Sequence, residues 1–132
     1  MKTILLISLL LLGGVSLFWL YDPDPSEQQI QIAQQSGLKA GAYLQYPEDC
    51  IDSGLALPTD GCEEDKLCIN RSYAAYIYSC LTKKVTDDPE VLDYGVCDTN
   101  ESIFAEDYCT SLDDKDACES ARIALLTVCS EI

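Results

Sequence analysis

The chain has 132 residues, with 23 acidic against 8 basic side chains, no histidine and a formal charge of −15. A field of that sign repels nucleic acid and anionic headgroups, which argues against nucleic-acid binding, and the lack of histidine removes the commonest general base and a common zinc ligand. Eight cysteines in so short a chain point to a domain too small to be held by apolar burial alone, cross-linked in an oxidising compartment.

Residues 4–20 form an uncharged run rich in leucine and isoleucine, behind the single cation Lys2 and ahead of Tyr21, Asp22, Pro23, Asp24 and Pro25. That order sends the C-terminal side across a membrane. A helix spans a bilayer with about 17 to 25 residues, and Phe18, Trp19 and Tyr21 sit where an interfacial aromatic belt belongs. We read residues 1–21 as a signal-anchor and single-pass transmembrane helix, with the lipid bilayer as partner along residues 4–20. The alternative is a signal peptide cut near Gly14, Val15 and Ser16, which leaves a secreted protein.

Residues 22–49 read as a polar stalk. Two prolines stiffen its start, and a short helix over residues 26–36 is expected, with Ser26 as N-cap and Gly37 as terminator. Its faces are mostly glutamine, and residues 38–49 show no assignable pattern.

From Cys50 the cysteines fall into two blocks, C-x11-C-x5-C-x11-C (Cys50, Cys62, Cys68, Cys80) and C-x11-C-x8-C-x10-C (Cys97, Cys109, Cys118, Cys129). Matching cysteines are 47, 47, 50 and 49 residues apart, the signature of a tandem module. We place module 1 at residues 50–84 and module 2 at residues 85–132. In module 1, residues 51–61 contain Gly54 and Pro58 and read as irregular. Ile69, Tyr73, Tyr76, Ile77 and Cys80 then share one face of a helix, and Cys118, Ala121, Leu125 and Cys129 do the same in module 2. Asp60 with Glu63, and Ser111 with Asp114, have the spacing of helix starts. A further helix is expected over residues 101–108, capped by Thr99 or Asn100. The fold class is therefore a small all-α, disulfide-rich ectodomain of two tandem four-cysteine helical modules behind an N-terminal transmembrane helix.

Helical geometry restricts the pairing. Cys68 and Cys80 on one helix are about 18 Å apart and Cys118 and Cys129 about 16 Å, whereas bridged Cα atoms lie within about 7 Å. Third-to-fourth pairing is excluded. First-to-fourth with second-to-third, and first-to-third with second-to-fourth, both remain; the nested option staples a helical hairpin at both ends and is preferred.

Candidate sites are few. Asn70-Arg71-Ser72 and Asn100-Glu101-Ser102 are N-glycosylation tripeptides, one per module. The carboxylate runs at residues 63–65, 87–90 and 113–119 lack the ligand order of a calcium loop and read as solvated helix starts and loops. No G-x-S-x-G elbow or phosphate-binding glycine loop is present, so we expect no enzyme, no cofactor and no metal. Tyr73 and Tyr76 share the apolar face, while Tyr78 lies off it and is the candidate interface residue. The sequence thus implies a structural or interaction protein, an accessory subunit whose protein partners lie in a membrane or surface assembly; a secreted binding or effector protein is the alternative.

Overall fold

Four of the described helices begin where an acidic or amide side chain directly precedes a helix-forming run. The computed structural model describes residues 24–92 and 96–132, and among these it forms five α-helices and one 3-10 turn, with no strand. The helices are α1 (Pro25–Tyr43), α2 (Pro47–Leu55), α3 (Lys66–Asp87), α4 (Glu101–Tyr108) and α5 (Lys115–Glu131), and the 3-10 turn covers Asp60–Cys62. Asp24, Asp65, Asn100 and Asp114 accept from the first free backbone N–H groups of α1, α3, α4 and α5, at 2.9 to 3.3 Å. At α2, Asp49 accepts from the Tyr46 N–H at 3.0 Å. Pro25 and Pro47 open α1 and α2, where a missing N–H costs nothing and a fixed φ helps. The expected membrane-spanning segment, residues 1–21, lies outside the described residues. None of the described helices is long and apolar enough to cross a membrane.

The helix over residues 101–108 matches the sequence reading, and of the two cap candidates Asn100, not Thr99, takes the position. The other helix starts need adjustment. Asp65 caps α3 in place of Asp60, because the Cys62–Cys68 bridge holds the preceding residues in a tight turn. Asp114 caps α5 in place of Ser111, and Asp24 caps α1 in place of Ser26. Residues 47–55, half of them read as irregular, form α2. Gly54 is tolerated inside it because a Cβ there would run into Ile77.

The largest correction concerns the stalk. Residues 25–43 are a continuous helix, running through Gly37 and laid along α3. Ala33 and Ala40 are buried there, together with Gln29, Gly37 and Gly41. Glycine ends helices by adopting a left-handed conformation, but here its value is the missing side chain. A Cβ on Gly37 would meet the Tyr76 carbonyl, and one on Gly41 would meet the Cys80 carbonyl at 2.5 Å. The buried Gln29 ties the start of α1 to the next loop by donating to the Pro58 carbonyl at 3.1 Å.

Contacts fix the directions of the helices. The Cys68 sulfur lies 3.9 Å from the Ser26 carbonyl oxygen, while Gly37 and Gly41 approach Tyr76 and Cys80, so α1 and α3 are parallel. Lys66 lies 4.0 Å from Asp114, and Tyr78 donates to Glu131 at 3.1 Å, so α3 and α5 are parallel as well. In contrast α2 runs against α3, tied by Cys50–Cys80 at one end and packed through Gly54 on Ile77. Likewise α4 runs against α5 between Cys97–Cys129 and Cys109–Cys118. Ile51, Ile77, Leu81, Phe104 and Leu125 are fully buried in one continuous core that draws on both modules. Burying each such side chain stabilises by roughly 1.5 to 3 kcal/mol before entropy is counted.

Candidate interaction groove

All eight cysteines are paired. Cys50–Cys80 and Cys62–Cys68 close module 1, Cys97–Cys129 and Cys109–Cys118 close module 2, and no cysteine is free. Both modules thus use the nested pattern: the outer bridge ties the start of the first arm, Cys50 within α2 and Cys97 ahead of α4, to the second helix, and the inner bridge pins the turn between the arms. Four disulfides mark an oxidising, extracytoplasmic or secreted setting.

A concavity lies in module 2, between α4 and the N-terminal half of α5. It is a groove of about 680 Å³. Ala105, Leu112 and the Cys109–Cys118 bridge contribute its apolar lining, and Asn100, Glu101, Ser102, Lys115 and the Glu119–Arg122 pair its polar one. The eight-residue α4 contributes Glu101, Ser102 and Ala105 to this lining. Arg122 grips Glu119 with both edges, Nη2 to Oε1 at 2.7 Å and Nε to Oε2 at 2.9 Å. That bidentate bond holds the Glu119 carboxyl below its ordinary value and raises the Arg122 guanidinium. Chemically the groove offers an apolar lining and fixed hydrogen-bonding edges, a surface suited to contact.

The remaining residues singled out by sequence are spread over the body. Tyr76 is buried, and desolvation raises its phenol above the ordinary value against the opposing effect of a hydrogen bond with Ser53. Tyr73 is half-buried. Tyr78, the candidate interface residue, is also half-buried, and its hydroxyl is engaged within the chain by Glu131 of α5. Asn70 lies within α3 and Asn100 at the lip of the groove. The carboxylate runs do local work. Asp65 and Asp114 cap helices, Asp87 pairs with Lys83, and Asp88 accepts from the Glu90 N–H at 3.1 Å. Among the described residues no group of three or more cysteine, aspartate or glutamate side chains is placed to hold a metal ion.

Two features escaped the sequence reading. Ala33, Gly37 and Gly41 recur every four residues, a legible mark of close helix packing. Glu63 has φ 54° and ψ −119°, the first central position of a type II′ turn, and its Glu-Glu-Asp context carries no sign of it. No family model matches the chain, and no curated protein or solved structure is similar to it.

Proposed function

We propose that the protein is a membrane-anchored, extracytoplasmic structural or interaction subunit, held to the bilayer by residues 4–20 and contributing a rigid helical body to a membrane-bound or surface assembly. The observation that carries this reading is the covalent closure of both modules. All eight cysteines are spent on stapling two hairpins to one shared core, an arrangement that fixes a surface in shape and leaves no thiol for chemistry. The described side chains with strong partners serve as caps, interhelical ties and ion pairs, which supports a role in contact over one in turnover.

Anchoring rests on the N-terminal sequence, so the test must read that segment directly. Intact mass of the native protein should retain residues 1–16, and gentle detergent extraction should yield a particle larger than the single chain whose other members cross-link to the α-helical body. A free monomer whose mature chain begins just after Ser16 would replace this reading with the secreted alternative.

A further inference from the structure

We infer that Asn100, and not Asn70, is the chain's acceptor for an N-linked oligosaccharide. Both asparagines open an Asn-x-Ser tripeptide, so the sequence treats them alike; the fold does not. The Asn70 Oδ1 atom is shut off from solvent with no hydrogen-bond partner. Ser72 is fully buried, its hydroxyl donating to the Cys68 carbonyl at 2.9 Å and lying 3.6 Å from the Cys62 sulfur. Residues two apart on a helix point about 200° apart, so no one surface meets both the Asn70 amide and the Ser72 hydroxyl.

Asn100 and Ser102 present the opposite arrangement. Both are exposed, and both line the groove. The cap uses only Oδ1, which accepts from the Ile103 N–H at 3.0 Å, and Nδ2 takes no part in that bond. In the transfer, Nδ2 attacks the anomeric carbon of an oligosaccharide carried on a lipid pyrophosphate. The C–N bond forms as the C–O bond to phosphate breaks; the amide gives up one proton, and the lipid pyrophosphate leaves with the bonding electrons. Once module 1 has closed, the enclosed Asn70 Oδ1 and the buried Ser72 hydroxyl leave this tripeptide closed to the transferase. A sugar on Asn100 stands at the mouth of a groove that is already open, above the Cys109–Cys118 bridge.

The inference rests on the chain reaching a secretory lumen, and the experiment separates the two. The protein is expressed in a eukaryotic secretory host in two forms, one with its own N-terminus and one in which residues 1–21 are exchanged for an added, unrelated cleavable signal. Material with all four disulfides formed is treated with a peptide amidase that leaves aspartate at each released asparagine, then peptide-mapped. The expected result is conversion at residue 100 alone, abolished by Asn100→Gln and by Ser102→Ala, which removes the tripeptide but keeps the helix cap, and unchanged by Asn70→Gln. Modification at residue 100 only with the added signal keeps this inference and sinks the topology. Folded protein modified at residue 70, or unmodified at residue 100 behind the added signal, overturns it.

Discussion

Gly37 and Gly41 show how one side chain's absence decides a fold. In an exposed helix, glycine to alanine stabilises by about 1 kcal/mol, but here a Cβ would meet the backbone carbonyls of α3, which cannot swing aside. The sign therefore reverses. Gly37→Ala is expected to destabilise by about 1 to 3 kcal/mol, read as a lower urea midpoint of the oxidised protein. Glu63 is the converse case. It holds a positive φ in a turn closed by the Asp65 N–H on the Cys62 carbonyl at 3.0 Å, a conformation natural to glycine. Glu63→Gly should stabilise by about 1 kcal/mol; no gain in the urea midpoint would mean that the turn is not strained. The glycine spacing was legible in the sequence, but glycine equally marks helix ends, and only the facing helix distinguishes the two uses.

The hairpin is the element on which the covalent design acts. Cys50–Cys80 and Cys97–Cys129 span 30 and 32 residues, while Cys62–Cys68 and Cys109–Cys118 span 6 and 9. A cross-link removes more freedom from the unfolded chain when its loop is longer, about 3.5 kcal/mol for the long bridges against about 2.5 for the short ones. Replacing Cys50 and Cys80 together by alanine should therefore lower the unfolding free energy more than replacing Cys62 and Cys68, measured by urea titration; the reverse order would show that strain or residual structure governs. For α1 the prediction separates a stalk from a packed helix. A chain beginning at Leu44 uncovers Tyr76, Ser79 and the α3 backbone that α1 covers. It should lose its cooperative unfolding transition, monitored by circular dichroism, whereas trimming a true stalk would leave that transition unchanged. Residues 25–43 looked like a stalk because the buried face of α1 is built from alanine, glycine and one glutamine, which score as weakly apolar although they pack closely.

Across the whole molecule the modules meet in one core under a strong negative charge. Lys2 and Asp22 are the only charges in the first 23 residues and cancel, so the remainder carries the full −15. Tyr108 sits at the meeting point. Its ring packs tilted against Phe104, centroids 5.0 Å apart, and burial raises its phenol, reinforced by Glu48 and Asp52 of α2 and by Asp107. Tyr76 is raised too, chiefly by burial. An acid whose folded pKa is raised binds its proton more tightly in the fold. Its contribution is whole below the unfolded phenol value of about 10 and is lost as pH rises through the folded value. Stability should hold to about pH 10 and then fall, and Tyr108→Phe should flatten that alkaline decline. An unchanged slope would mean that the Tyr108 phenol is not held by its neighbours.

The sequence by itself determined the helical class, the two-block cysteine pattern, the helix α4 and the exclusion of third-to-fourth pairing, because each depends on spacing along one helix or on chemistry within a few residues. The tertiary structure decided the rest. It completed the nested pairing, since only the approach of α2 to α3, and of the segment ahead of α4 to α5, brings first and fourth cysteines together. It turned the stalk into a core helix, engaged Tyr78 with Glu131, opened the groove beside α4 and set the two asparagines apart. These outcomes are relations between elements distant in the chain, and local periodicity carries no information about which surface another helix will cover.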